Sequence, residues 1–282
     1  MNQELLNVKN LCFGYGDRQI LKGITLSIHA GEKIAVMGPN GAGKSTFLLN
    51  INGVLESDSG EIFLEGRQIT RRNINDLRKN VGFVFQNADD QIIASTVYTE
   101  ISFGPMNLKI PKEEVQCRVE DAMEYLDLTK MSDRPPHYLS GGEKKRGSIA
   151  DIIAMKAKVM IFDEPMAALD HINADSVEKI LNRLHNDGTT LIVATHDTDF
   201  AYRFADRIIV FLDGEVVADG DPEDLFSDGR MLQSAHLRRP MLLEISSLLK
   251  KHGFLNQHEI APKNMEQMRT VIKNLKGECK DE

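Results

Sequence analysis

No apolar run in the 282-residue sequence approaches the ~18 residues needed to cross a bilayer; stretches such as Leu191–Ala194 and Ile208–Leu212 fall far short. A membrane served by this chain would be reached through a partner. Met1–Lys9 mixes polar and acidic residues and lacks an apolar core, so no signal peptide is expected there. Cysteine is scarce. Cys12, Cys117 and Cys279 are odd in number and far apart, which excludes a disulfide frame and a zinc spacing and fits a reducing cytoplasm. The eight histidines and three cysteines form no C-x-x-C or H-x-x-x-H spacing, and no transition-metal site is expected. Positive charge is also not in excess. With 34 basic against 42 acidic residues, the net charge of -8 argues against a nucleic-acid backbone as the main partner. There is no internal repeat and no low-complexity segment.

What remains is a globular composition, 41% hydrophobic and 27% charged, in a chain long for one core and short for two. One large domain with a smaller appendage is expected. Ile34–Met37, Val81–Phe85, Val159–Phe162, Thr190–Thr195 and Ile208–Leu212 read as buried strands, and helical patterns lie between them. That alternation implies an α/β fold with a largely parallel sheet. Leu5–Ile28, with its Gly-Tyr-Gly-Asp turn, and Gly60–Leu64 read as an antiparallel β subdomain; Lys112–Leu128 reads as a helix. After about Ser227 the character changes. Pro240 is placed to open a helix, and Met241, Leu242, Ile245, Leu248 and Leu249 recur at helical spacing, as do Met265, Met268, Val271, Ile272 and Leu275. Periodicity alone leaves open whether these stripes pack on the body or meet a second copy. The tail Gly277–Glu282 is charged and expected to fray.

Gly38-Pro39-Asn40-Gly41-Ala42-Gly43-Lys44-Ser45-Thr46 fits G-x-x-x-x-G-K-[ST] between a strand and a helix from about Lys44 to Asn52. Glycines let successive backbone N–H groups turn toward phosphates, and the helix start adds partial positive charge. Lys44 is placed to reach the β- and γ-phosphates and Ser45 to ligate Mg²⁺. This P-loop indicates a nucleoside triphosphate but no particular machine; no Asn-Lys-x-Asp guanine-reading motif accompanies it.

Leu139-Ser140-Gly141-Gly142-Glu143 narrows the reading. Together with Gly38–Thr46, Gln86, Val159–Glu164 and His196, in that order, it resembles the ATP-binding cassette (ABC) ATPases over roughly residues 4 to 226. The resemblance implies a P-loop NTPase core with an antiparallel β subdomain, a helical subdomain at about 87–157 and a C-terminal helical extension. The domain would occupy 1–228 and the extension, a candidate dimer contact, 229–282. It implies that Ser140, Gly141 and Gly142 contact ATP held by the P-loop of a second subunit, so one chain carries two half-sites. Asp163 and Glu164 end an apolar strand; Asp163 should hold Mg²⁺ and Glu164 should polarise the attacking water. The resemblance makes His196 a γ-phosphate contact, Gln86 a Mg²⁺ ligand that senses the transporter, and Tyr15 an adenine-stacking aromatic. ATP and Mg²⁺ are therefore the expected cofactors. The expected partners are a second ATPase subunit, as a homodimer, and integral membrane transporter subunits. The expected location is the cytoplasmic face of the membrane.

Asp89-Asp90-Gln91, Phe103–Leu108 and Leu237–Pro240 further resemble the energy-coupling-factor importers for cobalt, nickel or vitamins, with Ala88 where proline is usual there. Four other positions depart from the wider pattern: Met166 and Ala168 in a turn commonly Thr-Ala-Gly-Leu-Asp, Glu143 where glutamine is commoner, and Asp151 where a small apolar residue is usual. Branches of the family that act on nucleic acid carry coiled-coil insertions, zinc cysteines or two cassettes, none of which this sequence has. Lys44, Glu164 and His196 together speak against a regulator that binds ATP without hydrolysing it.

Overall fold

A computed structural model describes residues 3–256 and 259–278, so Cys279 and the end of the expected frayed tail lie outside the described residues. The chain starts as a hairpin of β1 (Glu4–Tyr15) and β2 (Arg18–His29) and enters the main sheet with β3 (Lys33–Met37). Helix α1 (Lys44–Asn52) leads to β4 (Ser59–Leu64), β5 (Arg67–Gln68), α2 (Ile74–Asn80) and β6 (Val81–Val84). A helical region follows, with α3 (Val97–Asn107), α4 (Lys112–Tyr125) and α5 (Gly141–Met155). The chain then alternates through β7 (Val159–Asp163), α6 (His171–Asn186), β8 (Thr190–Ala194), α7 (Thr198–Phe204), β9 (Arg207–Leu212) and β10 (Glu215–Gly220). It ends in α8 (Pro222–Ser227), α9 (Gly229–Ser234), α10 (Met241–Lys251) and α11 (Met265–Glu278).

Two sheets result. The smaller is antiparallel, ordered β2-β1-β4-β5; the larger is ordered β10-β9-β3-β8-β7-β6 and is parallel except for β10. A parallel sheet covered on both faces needs apolar residues at every position of its central strands, and this requirement explains their unbroken apolar runs. Successive residues of β8 point to opposite sides: Leu191 and Val193 join the core shared with the helical region, while Ile192 and Ala194 join the core under the antiparallel sheet. The same alternation runs along β3 and β9. Helix α1 inserts Phe47, Leu48 and Ile51 between the two sheets.

The expected elements appear with small shifts at their ends, each with a local cause. Strand β6 stops at Val84 because the carbonyls of Phe85 and Gln86 turn to the ammonium of Lys145. The helix expected through Leu128 ends at Tyr125, where Asp127 adopts a left-handed φ of 56°. In the extension, Leu232, Ala235, Leu243 and Ala261 are buried in the same core as the helical region and α7. Arg239 ties α10 to α8 through the carbonyls of Phe226 and Ser227, and the Met241 N–H donates to Asp199. The two apolar stripes take different places in this packing. On α11 Met268 turns inward while Met265 and Ile272 stay exposed; on α10 the inward residue is Leu243, outside the expected stripe, of which Met241, Ile245 and Leu248 stay exposed.

Asp151 sits on α5 facing α3. It accepts a hydrogen bond from the Gly104 N–H at 3.0 Å, beside the buried Glu100, which accepts from the N–H groups of Ile93 and Ala94. Asp151 therefore pins the close crossing of two helices that a small apolar residue could only fill. Burial pushes its carboxyl up to about 7; Glu100 pushes it further, against the bond from Gly104 and the Gln91 amide. Between the usual carboxylate range near 4 and pH 7 the folded chain thus binds more protons here than the unfolded one. Stability from this group is present at low pH and is lost as pH rises through 7. Asp151→Asn is expected to remove a loss of about 1 kcal/mol per pH unit over that window, measured as urea midpoints from pH 5 to pH 7.5.

Candidate functional site

The carboxyl ends of β3, β7 and β8 lie side by side, with Val36 paired to Ala194 and Ala194 to Asp163. The segments that leave them are the P-loop after β3, Glu164 after β7 and His196 after β8. Ligands gather at this edge in open α/β sheets. A cavity of about 290 Å³ is lined there by Asn40, Gly41, Gly43, Lys44, Ser45, Thr46, Gln86, Asp163 and Glu164, with Arg18 and Ile20 from β2. Most of the residues expected from the P-loop and the strand-end carboxylates are thus brought to one place.

The P-loop starts with a close crossing. Gly38 has φ 131°, and a Cβ there would lie 2.1 Å from the carbonyl oxygen of Phe211, so no side chain fits. Pro39 and Ala42 shape the loop, the Ala42 N–H donating to Pro39 O at 3.2 Å. The Lys44 ammonium donates to Gly38 O at 2.7 Å and Pro39 O at 3.0 Å. Burial lowers its pKa, and the carboxyls of Glu164 and Asp163 partly offset that. Glu164 adopts a left-handed φ of 44°, held by its N–H donating to Ala194 O at 2.9 Å. Its Oε1 lies 3.0 Å from Nδ1 of the exposed His196. An ammonium, two carboxyls and an imidazole thus share one edge, an arrangement able to hold an anion and a cation together. Ser45, Gln86 and Asp163 offer a hydroxyl, an amide and a carboxyl oxygen in the same cavity, an all-oxygen set that suits a hard cation such as Mg²⁺.

Ser140, Gly141 and Gly142 are elsewhere. Gly141 lines a separate cleft of about 210 Å³ with Ala167, Ala168 and Leu169, and Gln86 lines both. Ser140 caps α5: its Oγ accepts from the Glu143 N–H at 3.3 Å while Glu143 accepts from the Ser140 N–H at 2.7 Å. These bonds, the one from the Ser140 backbone foremost, hold the Glu143 carboxyl below its usual range. Gly142 faces α6, where a Cβ would come within 2.0 Å of Asn173 Oδ1. Tyr15 is not among the cavity's lining residues. It stands 54% exposed, edge-on to Phe13 at 4.9 Å.

Sequence reasoning missed several residues. The S-x-x-E spacing of Ser140 and Glu143 is a readable capping box. Arg18 and Ile20 reach the cavity only through the hairpin pairing that sets Arg18 opposite Tyr15. Lys145 carried no local signal. It is 2% exposed, and its ammonium donates to Phe85 O and Gln86 O, both at 2.8 Å. Burial lowers its pKa to about 8, against the pull of Asp163. Neighbouring Lys144 pairs with Asp89 at 2.7 Å, so α5 holds the Gln86 segment at two points.

Ala168 has φ 60°, the left-handed conformation that glycine adopts without cost. The departure from glycine at this position therefore stores strain in the loop beside Gly141. Ala168→Gly is expected to raise stability by about 0.5–1 kcal/mol. An unchanged or lower urea midpoint would count against the strain.

The family described as ABC transporter matches residues 21–167. An energy-coupling factor transporter ATP-binding protein of Methanocaldococcus jannaschii is 42% identical over 250 residues, covering 88% of this chain and 90% of that protein. A like-named protein of Methanothermobacter thermautotrophicus is 40% identical over 253 residues, covering 89% and 81%. Among solved structures, CbiO1 of Clostridium perfringens, part of the ABC transporter complex CbiONQ, is 36% identical with a TM-score of 0.73, covering 87% of this chain and 99% of that one. The ATP-binding cassette MJ0796, in a dimeric post-hydrolysis state bound to ADP and Pi, is 29% identical with a TM-score of 0.68, covering 77% and 99%.

Proposed function

The chain belongs to the ABC transporter ATP-binding family, an ATPase family, and within it we propose that this protein is the motor subunit of an energy-coupling-factor importer for cobalt, nickel or a vitamin. The observation that carries the reading is the cavity where Lys44, Gln86, Asp163 and Glu164 meet at one sheet edge, with the signature residues Gly141 and Gly142 kept off it. A chain with a P-loop cavity and a separate signature surface has two unlike halves. Two copies placed head to tail complete both. The names of the relatives favour the energy-coupling-factor branch, in keeping with Asp89-Asp90-Gln91 and Leu237–Pro240.

The reaction is ATP + H₂O → ADP + phosphate, and catalysis is mostly positioning and charge neutralisation. P-loop N–H groups would cradle the phosphates, and Lys44 would leave the carbonyls of Gly38 and Pro39 for the β- and γ-oxygens. Mg²⁺, held by Ser45, Gln86 and Asp163, would neutralise phosphate charge. Glu164, oriented by His196, would polarise the attacking water. Tyr15, one turn from Arg18, would lie against adenine. The second copy would bring Ser140, Gly141 and Gly142 to the γ-phosphate. Membrane subunits at the cytoplasmic face would dock on the segment after Gln86, where Ile93, Phe103 and Met106 are 68%, 50% and 65% exposed. A change at the nucleotide would reach that surface through Gln86 and the lysines of α5.

The extension offers a second contact between copies. Seven of the fifteen large hydrophobic side chains exposed among the described residues lie between Met241 and Ile272. Such a concentration fits a surface covered by a partner.

Two outcomes are expected. Glu164→Gln keeps ATP binding, lowers phosphate release by roughly 100-fold or more and accumulates an ATP-bound dimer in size-exclusion chromatography; undiminished phosphate release would remove Glu164 from the water-polarising role. Ile245→Glu combined with Leu248→Glu weakens nucleotide-free self-association at least about tenfold by sedimentation velocity, and unaltered association would locate the permanent contact elsewhere.

A further inference from the structure

A further cleft, of about 460 Å³, opens beside the P-loop. It is lined by Gly38–Asn40, His196 and the turn that carries His236 and Arg238. Two observations join it to the nucleotide cavity. Asn40 lines both, and His196 touches Glu164 at 3.0 Å. The cleft therefore begins where the γ-phosphate of a bound nucleotide would end.

Its charge is unusual for this molecule. The chain carries a net charge of -8, yet no aspartate or glutamate is among the residues lining the cleft, while an arginine and two histidines are. The adjacent arginines have different surroundings. Arg239 is committed to Phe226 O, Ser227 O and Glu244. The Arg238 side chain makes no hydrogen bond or ion pair among the described residues and is exposed. Its backbone is nonetheless fixed. His236 takes a left-handed φ of 55°, the Leu237 N–H donates to Leu232 O at 2.8 Å, and the Leu237 side chain packs against the core. A rigid turn thus presents an unpaired guanidinium to the mouth of the cleft. A guanidinium matches the oxygens of a phosphate with two parallel N–H donors.

We propose that this cleft binds inorganic phosphate, receiving through Asn40 and His196 the phosphate that hydrolysis releases in the nucleotide cavity, with Arg238 as its main ligand. The proposal rests on the ATPase reading and adds a product site built partly by the C-terminal extension. It gives the extension a role in the catalytic cycle besides any contact between copies.

The test is equilibrium dialysis of radiolabelled inorganic phosphate against the full-length protein saturated with ADP and Mg²⁺. Wild type is expected to bind one phosphate per chain. Arg238→Ala should weaken that binding at least about tenfold and Arg238→Lys by less, because a lysine keeps the charge but loses the paired donors. The inhibition constant of phosphate in steady-state ATP hydrolysis should rise by the same factor, which links the dialysed ion to the product. Equal phosphate affinity in wild type and Arg238→Ala would overturn the proposal. So would an unchanged inhibition constant alongside weakened dialysis binding, which would mark an adventitious ion only. Intact phosphate binding with impaired ATP-driven dimerisation in Arg238→Ala would assign the cleft to an acidic segment of the second copy instead. Dialysis involves no turnover, so a wild-type chain that failed to release phosphate from ATP would sink the ATPase reading without deciding the dialysis result.

Discussion

The register of three parallel strands is the constraint on which the site depends. Val36, Ala194 and Asp163 stand in line across β3, β8 and β7, and the N–H of Glu164 continues the ladder one step beyond the strand by donating to Ala194 O. A slip of one residue in β7 would turn Asp163 to the other face of the sheet and remove Glu164 from His196. The two cores prevent such a slip, because alternate residues of each central strand are buried on opposite sides and no register but this one buries them all. Hydrophobic packing, which acts without direction, thereby fixes directional chemistry at the strand ends.

Charge in the site is set by burial as much as by pairing. Lys44 is nearly enclosed, and its ammonium is satisfied by two carbonyls rather than by a carboxylate contact. Carbonyl partners hold a cation in place without cancelling its charge, so the lysine stays available to an anion. Lys145, buried more deeply, uses the same solution with Phe85 O and Gln86 O. Asp163 acts on both ammonium groups through space and links the P-loop to the helix that follows the signature.

Much of this was legible in the sequence, for reasons that differ by residue. The limits of α1 were readable at both ends because the P-loop sets its start and Gly53, in a left-handed conformation, sets its stop. The strands showed as apolar runs because burial on both faces leaves polar residues no place. Arg18 and Ile20 were not legible, since their approach to the cavity depends on how the hairpin folds over the P-loop. Lys145 was hidden for the opposite reason: a lysine on a helix next to other charged residues reads as a solvated face, and only the tertiary fold closes over it. Asp151, unexplained as a letter in a pattern, became intelligible once α3 was seen to bring the N–H of Gly104 to it. On α11 the period could not divide the exposed part of the stripe from the buried Met268, because all its members repeat alike, and on α10 the inward Leu243 lies outside the stripe that the period picked out.

The tether from Lys145 is a contact with main chain alone. Its ammonium grips main-chain oxygens, which every amino acid supplies. The link between α5 and the Gln86 segment is therefore indifferent to which side chains occupy positions 85 and 86, so long as the backbone keeps its path. Substitutions along that segment, Gln86 apart, would leave the connection from α5 to the nucleotide cavity in place. One buried cation, by reading the backbone instead of the sequence, makes a mechanical link that does not depend on the chemistry of the side chains it passes.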